Sequence, residues 1–456
     1  MIRTPLRAYQ NEAVQRALPH DGFALIPEQR TGKCLISLRI IDERKPDILL
    51  IICPNKAIAV WWSQIEQHLD LDWKCKIQVV NFEACSRTKQ SRAHYRRQAR
   101  EWVSDKRTVF IVCDEAQRIK RRGSFQARLV RSLGHLATWR LALTGTPIAQ
   151  GVQDVWSIFD FIQPGVLFHT WEDFQERFLE YGGYQNRKVV GYNHREEFDA
   201  IFHAYSYRVT FVEARRSVGL KAPRIRQSKV LFDLAPSTRQ HYNELEQELE
   251  TVVQDIHVST PLVLTLAMKL QQLAAGFLIH TEKIPGKRKG KRTIIHVGTE
   301  KMHWLSRTLV RIGDQKVVIC ARFIHEIDAI SVILEQLGKS HKRIAGGHEF
   351  DGEFDVDIIL LQIQSGIAFD LSEAHIYIFF SWDYSYINYE QAKFRVLSFA
   401  TEQVDYYFLI AKGTVDEVLF EAVSKKKDFA TMIVDRYRRG YREHHQATRG
   451  NTGRAK

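Results

Sequence analysis

At 456 residues the chain is too long for one hydrophobic core, and its 45% hydrophobic content can fill two or three domains. Its 66 Lys and Arg against 53 Asp and Glu leave a net charge of +13 and a pI near 9.4, which disfavours a cationic partner and points to a polyanion such as nucleic acid. No apolar run reaches the roughly eighteen residues of a membrane span, Met1-Ile2-Arg3-Thr4 opens no signal peptide, and the six cysteines form no Cys-x-x-Cys pair, so a cytoplasmic, membrane-free protein with reduced thiols is expected.

In chain order, Leu6-Arg7-Ala8-Tyr9-Gln10 comes first, and the loop Arg30-Thr31-Gly32-Lys33-Cys34 follows. There the glycine would let backbone amides at a helix N-terminus approach a polyphosphate, and Lys33 would place a cation on its outer phosphates. The short apolar runs Ile48–Cys53, Val109–Cys113 and Leu141–Thr144 read as buried parallel strands. The second of them ends in Asp114-Glu115-Ala116-Gln117, where an aspartate can hold a metal and the next glutamate can orient a water. Loop and acidic pair together describe a site that hydrolyses ATP with Mg²⁺.

From Val152 to Phe178 the character becomes helical, with Val155, Trp156, Phe159, Phe161 and Ile162 at core spacing. Tyr181–Tyr192 reads as a glycine-bounded hairpin. A second hairpin pairs Phe277–Ile284 with Thr293–Val297 around a basic tip carrying Lys287, Arg288, Lys289, Lys291 and Arg292. Val317–Cys320, Ile358–Ile363, Ile376–Phe380 and Tyr406–Ile410 form the strand runs of a second α/β lobe. The arginine- and glycine-rich end, from Arg436 to Lys456, has the composition of a disordered segment. The expected divisions are therefore residues 1–150 and 151–232 for a first lobe with its helical and hairpin insertion, 233–440 for the second lobe, and 441–456 for the tail.

With these residues in place, the chain from about Leu6 to Lys427 resembles the Swi/Snf-like branch of the superfamily-two helicases and translocases. Leu6–Gln10 is similar to the adenine-reading motif, in which a glutamine amide, here Gln10 beside Arg7, can pair with adenine. Ile52-Cys53-Pro54 with Trp61 and Trp62 looks like the first DNA-contacting motif. Leu143-Thr144-Gly145-Thr146-Pro147 looks like the coupling motif, and Asp154–Ser157 with Asp160–Gly165 is the helical continuation typical of this branch. Gln364 and Ser365, leading to Asp370, match a motif that touches a DNA phosphate and the nucleotide. Gln391 and Arg395 match the final motif, whose arginines point at the γ-phosphate, and Gly413–Glu417 closes the pattern.

The resemblance implies two RecA-like lobes, parallel sheets covered by helices. It implies ATP bridging them, with Arg30, Thr31, Gly32, Lys33, Asp114 and Glu115 on one side and Asp370, Gln391 and Arg395 on the other. DNA would be held through its backbone by Pro54, Thr144, Thr146, Gln364, Ser365 and the basic hairpin tip. The compact length is most similar to phage-encoded branch-migration helicases, which implies duplex, forked or four-way DNA as partner and a monomer or weak associate. Two other readings fit the same residues: a slow nucleotide-gated DNA clamp, and the motor subunit of a restriction system.

Three positions depart from the family pattern. Pro27 replaces the first glycine of the phosphate loop. Cys34 replaces a hydroxyl residue, and a thiol is a poor ligand for hard Mg²⁺, so Asp114 and the phosphates would carry the metal, with the Cys34 position reaching it through a water. Ser398 stands where a second arginine is expected, and an arginine finger is worth roughly 10³ to 10⁵ in rate. Arg322, beside the strand ending at Cys320, is the candidate substitute; a structural role is its alternative.

Overall fold

The computed structural model describes residues 2–70, 74–145, 151–182, 188–248, 250–253, 256–259, 263–282, 290–346, 353–365 and 369–424, and divides the chain into two units, Met1–Ala222 and Pro223–Lys456. The first unit contains β1 (Gly22–Leu25), β2 (Ile48–Cys53), β3 (Lys76–Asn81), β4 (Val109–Asp114), β5 (Trp139–Leu143), β6 (Leu179–Gly182), β7 (Lys188–Tyr192) and β8 (Ser206–Tyr207). Six of these form a wholly parallel sheet in the order β3-β2-β4-β5-β1-β8. Its inner strands are buried on both faces, β2 along its whole length, which is why they read as unbroken apolar runs.

Helices Ala8–Ala17, Lys33–Arg44, Ala57–His68, Lys89–Ser104 and Phe125–Gly134 connect and cover the strands. Polar caps start several of them: Thr88 accepts from Ser91 N, and Ser124 from Ala127 N. The segment expected to be an insertion adds to this core. Helix Trp156–Ile162 is buried throughout and packs on β1 and β5. It comes so close that a Cβ on Gly22 would sit 1.7 Å from the Ile162 carbonyl oxygen. Behind it, Phe159, Phe174, Phe178, Phe198 and Phe202 form a chain of ring contacts at centroid distances of 5.3–6.0 Å. β6 and β7 pair antiparallel as the expected hairpin, whose tip, residues 183–187, lies outside the described residues.

The second unit contains β9 (Arg224–Phe232), the small antiparallel pair β10 (Glu250–Val253) and β11 (Ile256–Ser259), and the hairpin β12 (Phe277–Glu282) and β13 (Lys291–His296). Then come β14 (Val317–Ala321), β15 (His341–Ile344), β16 (Ile358–Gln362), β17 (Ile376–Phe379) and β18 (Gln403–Ala411). Its main sheet is again parallel and six-stranded, in the order β15-β16-β14-β17-β18-β9. β9 lies in the stretch expected to complete the first lobe, yet it pairs with β18 over its full length, so the second unit starts at Pro223 rather than near residue 233. Lys301 and Asp416, both almost wholly buried, form an ion pair at 2.8 Å that ties the helix before β14 to the helix after β18. Lys291 and Arg292 are exposed on β13, whereas Lys287, Arg288, Lys289 and the C-terminal segment 425–456 lie outside the described residues. Among the described residues no helix is long and apolar enough to cross a membrane.

Candidate active site

In the first unit the phosphate loop leaves β1 and enters helix Lys33–Arg44 through two left-handed residues, Arg30 (φ 65°) and Gly32 (φ 81°). Thr31 between them is buried, and its carbonyl accepts from Tyr9 Oη at 2.8 Å and Gln10 Nε2 at 3.2 Å. Its left-handed φ favours glycine, and a Cβ on Gly32 would come within 2.5 Å of that same Gln10 nitrogen and displace the end of its side chain. Gln10, expected to read adenine, is buried, and its Oε1 accepts from Arg7 N at 2.9 Å. In this structure both ends of its amide are engaged by the loop and the helix start, while the Arg7 side chain beside it is exposed.

Lys33 opens the helix, where unpaired amides and the helix dipole favour an anion. Its Nζ donates to the Pro27 carbonyl at 3.0 Å, a bond that a phosphate oxygen could take over. Burial, then the neighbouring Asp114 charge, pushes the Cys34 thiol up to about 12. It stays protonated and offers no thiolate, which agrees with its being a poor magnesium ligand.

Asp114 ends β4. Its Oδ1 accepts from Glu115 N and its Oδ2 from Trp61 Nε1, each at 2.9 Å. Burial, reinforced by the Glu115 charge, raises its carboxyl to about 6, and Trp61 and Lys33 oppose that rise. A buried carboxylate at this potential suits a divalent cation, so Asp114 fits the expected magnesium. Glu115 sits at φ 53°, a left-handed conformation that turns its side chain away from the strand direction, and Gln117 Nε2 donates to its Oε2. Thr144 Oγ1 in turn donates to Gln117 Oε1 at 2.7 Å. One chain of side chains thus joins the end of β5 to the glutamate. Gln117 was legible only as the last residue of Asp-Glu-Ala-Gln, and Trp61 only as part of the expected DNA-contacting motif, not as a donor to Asp114.

Two residues expected to contact DNA are buried in this structure. Thr144 is wholly buried and spends its hydroxyl on Gln117, and Pro54 is buried with its carbonyl accepting from Ala57 N at 2.9 Å. The exposed groups beside Pro54 are Asn55, Lys56 and Trp62, the last 45% exposed. Thr146 lies outside the described residues.

In the second unit the candidate site residues lie on the segments that follow β16 and β17. Gln391 is buried on helix Tyr386–Lys393, and Arg395 follows on a short 3₁₀ turn. Arg395 Nη1 donates to the Phe369 carbonyl at 3.4 Å while its own carbonyl accepts from Leu371 N, which brings it beside exposed Asp370. Gln364 is exposed, and Ser365 Oγ donates to Gln362 Oε1 at 3.2 Å.

Ser398 accepts from Ala400 N at 3.2 Å and lies 3.1 Å from Thr401 Oγ1, making a tight polar turn where an arginine was expected. Arg322, the candidate substitute, has partners of its own within this unit. Its guanidinium lies 4.0 Å from the Tyr384 ring centroid and donates to Gln271 Oε1, and Gln271 Nε2 donates to the Trp382 carbonyl at 2.7 Å. That is a structural brace.

The profile of the SNF2-related domain matches residues 30–275. An uncharacterised ATP-dependent helicase of Mycoplasma pneumoniae is 24% identical over 95% of this chain and 42% of its own length. Human chromodomain-helicase-DNA-binding protein 1 is 23% identical over 72% of this chain and 19% of its own length, so this chain spans less than half of either relative. Among solved structures, the Sulfolobus solfataricus SWI2/SNF2 ATPase core in complex with dsDNA is 21% identical, covers 93% of this chain and 92% of its own, and superposes with a TM-score of 0.41. Because that profile spans more than half of its residues, the chain belongs to the SNF2-related family.

Proposed function

We propose that this chain is a DNA-dependent ATPase that translocates on DNA and remodels or unwinds branched DNA, forks and four-way junctions, in replication, recombination or repair. The observation that carries the ATPase reading is the convergence, within one unit, of Lys33 at a helix N-terminus with Asp114 and Glu115 at a strand end, linked through Gln117 to Thr144. Loop amides and Lys33 bind the polyphosphate of ATP. Asp114 would hold Mg²⁺, which when bound offsets charge on the phosphate oxygens. Glu115, fixed by Gln117, orients the attacking water, and Arg395 supplies a cation to the transferred phosphoryl group. DNA as substrate is supported by family membership and by the net charge of +13. The basic hairpin β12–β13 and the tyrosine-bearing β6–β7 hairpin are the candidate strand-handling elements.

Phosphate release measured with no polynucleotide, duplex DNA, a four-way junction and RNA tests this. Strong stimulation by DNA, weak stimulation by RNA and a steep loss of DNA affinity with salt are expected. Equal stimulation by RNA, or a flat salt dependence, removes the substrate reading. A second reading, the slow nucleotide-gated clamp, is favoured by Ser398 in its Thr401 turn and Arg322 in its brace. It predicts tight DNA binding with ATP and little stimulated turnover.

A further inference from the structure

β9 is an edge strand of nine residues, and its outer edge pairs with no other described strand. Arg224 N donates to the Glu402 carbonyl, and the Phe232 carbonyl accepts from Lys412 N, so the even-numbered residues turn their backbone groups towards β18. Strand geometry then turns the N–H and C=O groups of Ile225, Gln227, Lys229 and Leu231 outward. Side chains alternate in the same way. On one face, Ser228 and Val230 floor a groove of about 620 Å³ walled by Trp304, Arg307 and Arg311 of helix Glu300–Ile312. Arg307 and Arg311 are exposed one helical turn apart, and Arg224 and Arg226 extend the cationic row along the strand. Asp405, 4.0 Å from Arg226, opposes them. On the opposite face Ile225 and Leu231 stay 42% and 43% exposed, and Lys229 lies over the Phe420 ring at 4.4 Å.

We propose that this edge is a docking site for an extended acidic segment of a partner protein, which adds a seventh strand to the second sheet. Edge strands are templates for pairing, and cations along them discourage pairing with another copy of the same edge. The same cations select a strand of opposite charge. A strand laid along β9 takes its backbone bonds from Ile225, Gln227, Lys229 and Leu231, points alternate side chains at Arg226, Arg307 and Arg311, and rests the others on Ile225 and Leu231. The recognised segment therefore alternates acidic and apolar residues. A nucleic acid could use the guanidinium groups but would leave the backbone row and the apolar face unused.

The test uses the full chain and a fluorescent nine-residue peptide of alternating Glu and Val, with a second peptide N-methylated at alternate residues. Anisotropy should show binding of the first peptide only. Arg307→Glu/Arg311→Glu, checked for folding by thermal melting, should weaken binding about tenfold or more. Hydrogen exchange should slow at the amides of Ile225, Gln227, Lys229 and Leu231 when the peptide is bound. Equal binding of the N-methylated peptide, no binding of the unmodified one, or displacement by a short duplex DNA with amide exchange unchanged would overturn the proposal, the last outcome assigning the groove to nucleic acid.

Discussion

In the first unit the polar network runs through the site itself: Thr144 holds Gln117, Gln117 holds Glu115, and Trp61 holds Asp114. In the second unit the densest network lies beside the site. Buried Glu326 accepts from the backbone of Arg322 and Phe323 and from Ser381 Oγ, and Arg322 reaches on to Gln271. The cation expected at the γ-phosphate, Arg395, is held instead by a long bond to a backbone carbonyl. The contrast separates a half whose candidate site is cross-linked side chain to side chain from a half whose network supports the sheet while Arg395 sits on a short turn.

The sharpest way to break this comparison is to remove one cation from each half. Lys33→Ala and Arg395→Ala should each lower kcat by about 10³-fold or more, but differently: Lys33→Ala also loses ATP affinity, whereas Arg395→Ala keeps it. Nucleotide binding and single-turnover phosphate release distinguish them, and equal losses of affinity would erase the asymmetry. Next in size, Thr144→Val should cost about 1–3 kcal/mol of stability by stranding the buried Gln117 oxygen, and lower kcat about tenfold by loosening Glu115. Thr144→Ser should restore both. An unchanged kcat in the valine variant would mean that the chain to Glu115 carries no catalytic order.

Arg322→Ala should reverse that pattern, losing about 1–3 kcal/mol in chemical denaturation as Gln271 loses its donor, with kcat near wild type. A kcat loss like that of Arg395→Ala would make Arg322 the missing second finger after all. The smallest effect concerns pH. Because burial raises Asp114 to about 6, the fold favours its protonated form, and stability falls as pH rises from the ordinary aspartate range through 6. Asp114→Asn should therefore raise Tm in EDTA at pH 8 but much less at pH 4.5. An equal gain at both pH values would show that the carboxylate is not strained.

The strands legible in the sequence were those inside the sheets. β2, β4, β14, β16 and β17 are buried on both faces and announce themselves as apolar runs. The four edge strands β3, β8, β9 and β15 were not: β8 is only two residues long, and the others carry polar residues where no neighbour covers the edge, as in Lys76-Ile77-Gln78 of β3 and Arg224-Ile225-Arg226 of β9. β1 is interior but too short to stand out. In the site, the order of loop and acidic pair was readable because phosphate chemistry dictates residue type. Which side chains turn inward was not, and so the burial of Thr144, Pro54 and Gln10 was not foreseen.

The pairing of β9 with β18 has a consequence for the order in which the protein can be made. The first strand of the second unit finds its partner only when the last strand has been synthesised, and Lys301 meets Asp416 115 residues later in the chain. Until then a buried lysine lacks its counter-ion and an edge-to-be has nothing beside it. The unit therefore closes late and as a whole on the ribosome, while the first can already stand. A chain stopped just short of Asp416 should leave the second unit an unfinished sheet for the cell to clear.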